Sequence, residues 1–221
     1  MSKACQLFSG SSGNSIYISS RETKILVDAG VSAKRICMAL NNIGEDAQKI
    51  SAIFITHEHS DHINGVRVLA SKYNIPVFAH RAVIDSMVNT GIVNEKIKAF
   101  EISDNMEIGG VEVLPFELSH DSVECNGYRF NTPDGRAISV CTDTGIVTKQ
   151  AQDTVSGSDL VFLESNHETN MLMNGGYPYY LKKRILSDYG HLSNEACSQF
   201  AVDLINSGTT LLVLCHLSRV N

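Results

Sequence analysis

The segment of residues 56–62, Thr-His-Glu-His-Ser-Asp-His, contains four side chains that can bind a divalent metal ion. They are His57, His59, Asp61 and His62. Imidazole nitrogens and carboxylate oxygens bind such ions at about 2.0–2.2 Å. In an extended segment, positions 57 and 59 point to the same side, whereas positions 61 and 62 enter the following helix and can face a second ion. Three of the eight histidines of the chain lie in this short segment, so a metal site is favoured over a loop that is polar by chance.

This segment resembles the His-x-His-x-Asp-His signature of the metallo-β-lactamase fold. The later metal ligands of that fold have counterparts here, each after an apolar, strand-like run: His120, Asp143 and His216. The resemblance implies two metal ions. One is held by His57, His59 and His120, and the other by Asp61, His62 and His216, with Asp143 between them. It also implies an α/β (α+β) fold class, a four-layer αββα sandwich whose strand ends gather these side chains at one edge.

Longer stretches resemble one branch of this superfamily, the YycJ/WalJ group, which is related to ribonuclease Z and to the phosphodiesterase PhnP. These stretches are distributed along almost the whole chain: FSGSSGNS, LVDAG, LESNHE, GYPYYLKKRILSDYGHLSNEA and HLSRVN. Members of this group are described as 5′-to-3′ exonucleases acting on DNA, with a proposed part in mismatch repair. The resemblance therefore implies a phosphodiesterase whose substrate is nucleic acid, DNA rather than RNA, and it leaves a homodimer open.

His191 resembles the histidine of the His-Ser-Thr element of ribonuclease Z and its PhnP counterpart, which contacts the scissile phosphate rather than a metal. An imidazole beside a phosphate can stabilise the developing negative charge or protonate the leaving alkoxide. Asp61, as a metal ligand, and His191 are therefore the expected catalytic residues.

Five further side chains are candidates for substrate contacts: His167, Tyr179, Lys182, Lys183 and Ser218. The basic residues can grip backbone phosphates, and aromatic rings beside basic groups are typical of single-strand binding. His167 either positions substrate or water, or merely follows the end of a strand. The serine- and glycine-rich segment 9–15 could cradle an anion with its main-chain N–H groups, but a tight hairpin is the preferred interpretation.

The expected cofactors are two divalent ions of zinc, manganese or iron, which this ligand set does not distinguish. Two ions about 3.5–4 Å apart would convert a bridging water to a hydroxide nucleophile at neutral pH. Each histidine ligand then needs a partner on its other ring nitrogen, and the candidates are Glu58, Asp121, Glu164 and Glu168. Two alternatives stay open: a small-molecule hydrolase (a cyclic phosphodiesterase, or a thioesterase or lactonase like glyoxalase II) and a non-catalytic metal-binding scaffold.

Apolar periodicity predicts two β-sheets with helices outside them. One continuous helix is expected from about residue 60, with apolar residues at 63, 66, 69 and 70 on one face. Short helices are expected near residues 147–152 and 181–186, and a longer one over residues 193–206. The intervals between the later ligands leave no room for a β-CASP insertion or for the arm of ribonuclease Z.

The amino-acid composition limits the fold classes and locations that are compatible with these motifs. Hydrophobic residues make up 43% of the 221 residues and the net charge is −6, which favours a buried core and argues against a basic coat for nucleic acid or lipid. None of the six cysteines is in a Cys-x-x-Cys pair and no apolar run is long enough for a membrane span, so reduced thiols and a cytoplasmic location are expected. The chain is expected to be a single domain over residues 1–221, and the few residues after His216 favour a truncated C-terminus.

Overall fold

The computed structural model describes residues 1–102, 104–218 and 220. Within these residues, twelve strands form two six-stranded sheets. None of the helices formed by this part of the chain has the length and apolar character that crossing a bilayer requires.

The strands of the first sheet lie side by side in chain order. They are β1 (Lys3–Phe8), β2 (Ser15–Ser20), β3 (Thr23–Val27), β4 (Ala52–Phe54), β5 (Val77–Ala79) and β6 (Ala99–Glu101). The β1–β2 and β2–β3 pairs are antiparallel, and the later pairs are parallel. The parallel strands are connected by α1 (Ala33–Asn42), a 3₁₀ turn (Ala47–Lys49), α2 (Ser60–Ile63), α3 (Val66–Tyr73) and α4 (Arg81–Asn89).

The second sheet also follows chain order. Its strands are β7 (Met106–Ile108), β8 (Val111–Glu117), β9 (Asn126–Asn131), β10 (Ala137–Cys141), β11 (Leu160–Glu164) and β12 (Leu211–Cys215). Pairs from β7 to β10 are antiparallel, and β10, β11 and β12 are parallel. The connections contain α5 (Lys149–Val155), α6 (Thr169–Asn174), α7 (Tyr179–Ile185) and α8 (Asn194–Asn206). Since β9 is antiparallel to both neighbours, β8, β10, β11 and β12 all end at the same edge.

Apolar side chains of both sheets meet in one core. Phe54 of the first sheet stacks on Phe78 at a centroid distance of 5.2 Å and meets Tyr128 and Phe130 of the second sheet at 5.4 and 5.7 Å. Two further clusters lie on the outer faces, one between the first sheet and α1, α3 and α4, the other between the second sheet and α5 and α8. The layers are therefore helix, sheet, sheet, helix, and the predicted four-layer αββα sandwich is confirmed.

Three local predictions were wrong. The helix expected from residue 60 is two helices, because Gly65 between them donates its N–H to the Ala29 carbonyl at 2.7 Å. A Cβ at Gly65 would lie 2.2 Å from the Val31 carbonyl oxygen, so the chain turns where these loops touch. Helix α5 begins two residues later than predicted, where the Thr148 hydroxyl accepts from the Ala151 N–H. Helix α6 was not predicted; Glu168 caps it by accepting from two main-chain N–H groups.

Candidate metal centre

The side chains predicted as metal ligands lie together at the carboxyl edges of the two sheets. His57 follows β4, His120 follows β8, Asp143 follows β10 and His216 follows β12. Their donor atoms form overlapping groups in which all atoms lie within 4.8 Å of one another. The groups comprise His57, His59 and His120; Asp61, His62 and His216; His57, His62 and Asp143; and Asp143, Glu164, His191 and His216. All seven predicted ligands are therefore brought together, and their role in holding metal stays a prediction.

The first group is made of three imidazoles that face one point. His57 Nε2 and His59 Nδ1 are 3.0 Å apart. The ring of His120 lies 5.0 Å from the ring of His57 and 5.1 Å from that of His59, measured between centroids. Two ligands of one ion at about 2.0–2.2 Å must themselves be about 3–3.5 Å apart, so the His57–His59 separation suits a shared cation.

The second group is organised around two carboxylates. His62 Nε2 lies 3.5 Å from an oxygen of Asp61 and 3.5 Å from Asp143 Oδ2. His216 Nε2 lies 3.7 Å from Asp61 Oδ2 and 3.4 Å from Asp143 Oδ1. The two oxygens of Asp143 thus face different histidines, as expected of a carboxylate placed between two positive charges.

Two atoms of this cluster are buried without a hydrogen bond to any described residue: Asp143 Oδ2 and His216 Nε2. Such orphaned polar atoms are costly unless an ion or water satisfies them. Burial raises the pKa of the Asp143 carboxyl, but the imidazoles of His216 and His62 outweigh burial and hold that pKa well below its usual range. An anionic carboxylate among imidazole nitrogens is a donor set that fits divalent metal ions.

The remote ring nitrogens of three histidines are held by the surrounding structure. The Thr56 hydroxyl donates to Asp28 Oδ2 at 2.9 Å, so it can accept from the His57 Nδ1–H, 3.0 Å away. His62 Nδ1 lies 2.8 Å from Asp28 Oδ2, and His120 Nδ1 lies 2.9 Å from the Gly190 carbonyl oxygen. A proton on each Nδ1 leaves a lone pair on each Nε2, which is the form a metal ligand requires.

Sequence reasoning missed Asp28 as the partner of His62. It follows β3 directly, its side chain is buried, and it also accepts from the Thr56 main-chain N–H. Burial raises the pKa of this carboxyl and the adjacent His62 opposes the rise. A signal was present in the sequence, since Asp28 directly follows a buried strand and belongs to the LVDAG stretch.

Three of the four candidate partners do not hold the remote ring nitrogen of a histidine; Asp121 Oδ1 lies 3.5 Å from His120, but at Nε2 rather than at Nδ1. Glu58 accepts from the Val123 N–H, and Asp121 pairs with Arg184 in α7. Glu168 is taken up as the cap of α6. These carboxylates follow site residues in the chain, but their short loops direct them to neighbouring elements instead.

The fourth predicted partner, Glu164, contacts both His191 and His216. Its Oε1 lies 2.7 Å from His191 Nδ1 and 3.5 Å from His216 Nδ1. Its Oε2 accepts from the Thr144 N–H at 2.8 Å, which fixes the carboxylate. Burial lowers the pKa of His191, but the Glu164 carboxylate outweighs burial and raises it overall. Burial also lowers the pKa of His216, and Asp143 outweighs it to raise that pKa to about 9.

The backbone adopts an unusual conformation at three of these positions. Asp28, Asp143 and His216 have positive φ angles of 62°, 64° and 53°. This left-handed region is uncommon for residues other than glycine. Asp28 and His216 directly follow the last residue of a strand, and Asp143 is the second residue after β10, so all three conformations occur at the sheet edge where the cluster forms.

A cavity of about 490 Å³ opens beside His191 and His216. Of the residues predicted to contact substrate, Ser218 lines this cavity, whereas Tyr179, Lys182 and Lys183 lie on α7 outside it. His167 is buried, and neither ring nitrogen bonds to a described residue. None of these five contacts is tested by the geometry alone, and they stay predictions.

The chain matches the Beta-lactamase superfamily domain over residues 23–217. It is 40% identical to the exodeoxyribonuclease WalJ of Streptococcus pneumoniae over 219 residues, which is 97% of this chain and 81% of that protein. It is 38% identical to the exodeoxyribonuclease YycJ of Bacillus anthracis, over 97% of this chain and 82% of that protein. The crystal structure of the metallo-β-lactamase fold protein YhfI of Bacillus subtilis superposes with a TM-score of 0.77 at 17% identity, covering 100% of this chain and 88% of that one.

Proposed function

The chain belongs to the beta-lactamase superfamily, in the group of the WalJ and YycJ proteins, and is a metal-dependent hydrolase; from this premise we propose that it is a dinuclear phosphodiesterase that degrades DNA from the 5′ end. The observation that carries the proposal is the position of His191. It lies beside the donor cluster, 3.8 Å from Asp143, and is held by Glu164. The names of the two relatives at 38–40% identity support DNA as substrate.

In this proposal one ion is held by His57, His59 and His120, and a second by Asp61, His62 and His216, with Asp143 shared. When bound, two such cations supply a nucleophilic water at neutral pH and neutralise charge on the phosphate. Asp28, Thr56 and Gly190 keep three imidazoles in the ligating tautomer, and so they orient the site without touching the substrate.

His191 holds the proton that the leaving group needs. With Nδ1 facing the Glu164 carboxylate, its Nε2–H is available to donate to the departing alkoxide. The raised pKa of His191, due to Glu164 against the effect of burial, favours the protonated form. This arrangement suits a phosphodiester, whose leaving oxygen is strongly basic, better than a thioester, whose thiolate leaves without a proton.

The outer face of α7 is proposed to guide the strand. Tyr179 and Tyr180 are 65% and 74% exposed, and the Lys183 ammonium lies 5.4 Å from the centroid of the Tyr179 ring. Exposed aromatic rings stack on bases, and a lysine among them attracts phosphates. A Tyr179→Ala substitution is expected to raise KM for single-stranded DNA several-fold with kcat unchanged.

The test combines metal analysis with an oligonucleotide time course. The purified chain, loaded with Zn²⁺ or Mn²⁺, is incubated with single-stranded DNA and with RNA of the same sequence, each labelled at the 3′ end. The proposal expects two ions per chain and stepwise shortening of DNA in preference to RNA. Asp143→Asn is the inactive control, since it removes the shared carboxylate.

Other results would contradict the proposal in different ways. Turnover of a thioester or lactone without turnover of bis-p-nitrophenyl phosphate would identify an acyl hydrolase. Turnover of bis-p-nitrophenyl phosphate with intact oligonucleotide would identify a phosphodiesterase of small molecules. Internal cuts would identify an endonuclease.

A further inference from the structure

The residues that line the cavity beside His191 and His216 include two groups of different chemistry. The first group, called the polar wall, is residues 9–12, a Ser-Gly-Ser-Ser turn. The second group, called the apolar wall, is Tyr177, Leu181, Ile185 and Leu217, and Arg184 is a neighbour of these residues in the chain. Its volume of about 490 Å³ falls in the range of about 300–1,000 Å³ typical of small-molecule sites.

The polar wall offers hydrogen-bond donors that the described residues leave unused. The turn is closed by the Gly13 N–H, which donates to the Gly10 carbonyl, and by the Gly10 N–H, which donates to Asn14 Oδ1. The N–H groups and hydroxyls of Ser11 and Ser12 form no hydrogen bond to any described residue. Consecutive free N–H groups in a turn form a concave site for an anion.

The charges around the cavity also favour an anion. No aspartate or glutamate is among the described lining residues, whereas Arg184 and two imidazoles are. Arg184 donates to Asp121 Oδ1 at 3.0 Å, and a guanidinium has five N–H donors, so donors remain after this pairing. In a chain of net charge −6, a pocket without carboxylates is a specific feature.

We propose that this cavity binds the 5′-terminal nucleotide of the strand, with its terminal phosphate on the turn of residues 9–12 and its sugar and base between the apolar side chains of α7 and Leu217. The proposal rests on the proposed function and deepens it. The Ser9 hydroxyl accepts from the main-chain N–H of His216 at 2.7 Å, so the phosphate-binding turn is attached to the metal centre at a fixed spacing.

The placement accounts for the direction of cleavage. The cavity is on the side of His191, where the leaving oxygen must be. The oxygen of a water molecule forms a bond to the phosphorus between the first and second nucleotides, and the bond from that phosphorus to the 3′ oxygen of the first nucleotide breaks. The 3′ oxygen takes a proton from His191, and the proton released by the water then reprotonates His191. The products are a nucleoside 5′-monophosphate and a strand with a new 5′-phosphate.

Each cut therefore creates the terminal phosphate that the next cut requires. A strand that starts with a 5′-hydroxyl lacks this phosphate only until its first cleavage. Its first cleavage is expected to be slow and all later cleavages to proceed at the ordinary rate, so the time course shows a lag that the 5′-phosphorylated strand does not show.

The binding test uses metal-free protein, so that its readout is independent of activity. Two single-stranded DNA 12-mers with a fluorophore at the 3′ end, one with a 5′-phosphate and one with a 5′-hydroxyl, are titrated by fluorescence anisotropy. We expect the phosphorylated strand to bind about tenfold more tightly, as one hydrogen bond to a charged group can supply.

The variant Ser12→Glu places a carboxylate in the phosphate site and is expected to abolish this preference. The matched control is Ser71→Glu, which adds the same charge at an exposed serine of α3. Leu181→Trp, which fills the apolar wall, is a second variant and is expected to weaken binding of both strands. Thermal unfolding of all three variants checks that they are folded.

The outcomes separate the two proposals. Equal affinities for the two strands, with DNA still shortened by the metal-loaded enzyme, would overturn the cavity assignment and leave the proposed function standing. Absence of shortening with either strand would overturn the proposed function and with it the nucleotide subsite. Competition distinguishes the ligand: a deoxynucleoside 5′-monophosphate should displace the strand at lower concentration than inorganic phosphate, and equal potency would contradict a nucleotide site.

Discussion

At the scale of single residues, two site histidines have a carboxylate partner at Nδ1: His62 faces Asp28 at 2.8 Å, and His191 faces Glu164. The Nδ1 atoms of His57 and His120 face a hydroxyl and a carbonyl oxygen, whereas that of His191 faces the Glu164 carboxylate at 2.7 Å. A carboxylate stabilises the protonated ring, and a neutral acceptor only fixes the tautomer. Of these two histidines, only His191 lines the cavity, which supports its proposed role as the proton donor.

Replacing His191 by asparagine is expected to lower kcat for DNA by about 10²- to 10⁴-fold, because the leaving oxygen loses its proton source. The defect should be much smaller with bis-p-nitrophenyl phosphate, whose nitrophenolate leaves without a proton. Metal content measured by atomic emission should not change. An equal loss on both substrates would contradict the assignment of His191 as a proton donor.

A different effect is expected at Asp28, which touches only protein groups. Asp28→Asn keeps the volume but removes the charge that holds His62 Nδ1, and loss of such a partner lowers metal affinity by roughly 10- to 100-fold. Competition with a metallochromic chelator measures this affinity. Asp203→Asn, at an exposed position of α8, is the control, and an Asp28 variant that binds metal like this control would refute the role.

The two cases explain which site residues the sequence could reveal. Four of the predicted ligands can be identified from the sequence because they lie close together in the chain: His57, His59, Asp61 and His62. Asp28 becomes a partner of His62 only through the parallel pairing of β3 with β4, a long-range contact that periodicity does not encode. His120, Asp143 and His216 needed a resemblance for the same reason.

At the scale of elements, the loops after β1 and β3 fit closely against the segment after β4, which carries Asp61. The Asn14 N–H donates to the Asp61 carbonyl, and the Gly30 N–H donates to the Asn14 carbonyl, both at 2.8 Å. A Cβ built on Gly30 would lie 1.6 Å from the Asp61 carbonyl oxygen. Only glycine therefore lets these loops approach as they do.

Gly30→Ala is expected to lower the free energy of unfolding by about 1–3 kcal/mol or more, since backbone must move to admit the methyl group. It should also reduce the metal content, because Asp61 moves with its carbonyl. Gly176→Ala is the matched control, as nothing lies within 4 Å of its Cβ position. Unfolding in urea measures both variants, and similar midpoints would refute the steric argument.

Most elements could be predicted because their apolar patterns are local. The break between α2 and α3 could not, since the apolar positions 63, 66, 69 and 70 stay in phase across it. Helix α6 was missed because its buried contact is limited to Leu172, which leaves almost no apolar pattern. Helix α7 has no buried residue. Its basic and aromatic composition therefore indicated more about its possible function than any apolar pattern did.

At the scale of the whole molecule, the predicted metal ligands follow strands of both sheets. A cation bound by His57 and His120, or by His62 and His216, links strand ends that are far apart in the chain. A ligand that binds only the folded state stabilises it by about 2.7 kcal/mol at 100 times its dissociation constant.

Removing the metal is therefore expected to lower the melting temperature by about 5–10 °C, given about 2–4 °C per kcal/mol for a chain of this size. Differential scanning calorimetry before and after chelation measures the shift, and added Zn²⁺ or Mn²⁺ should restore it. An unchanged melting temperature, with metal loss verified by elemental analysis, would argue against a cation that joins the sheets.

The interface between the sheets gives a prediction that does not involve metal. Phe54→Ala should cost about 3–5 kcal/mol of unfolding free energy, because Phe54 packs on Phe78 and on two rings of the opposite sheet. Phe100→Ala, at a ring that stacks on Phe78 at 5.3 Å but is 47% exposed, should cost less because about half of this side chain is already in water. Equal effects would contradict the position assigned to the core.

The left-handed backbone of Asp28, Asp143 and His216 has a consequence for engineering. Such conformations are intrinsically unfavourable for these residues, and glycine or asparagine adopts them more readily. In the metal-free protein, where these side chains add no stability through a bound ion, a library screened only for heat resistance would accordingly enrich glycine and asparagine at these three sites. The most heat-resistant variants from that screen would lack catalytic activity. Selection for a more stable form of this protein must therefore include selection for turnover in the same round.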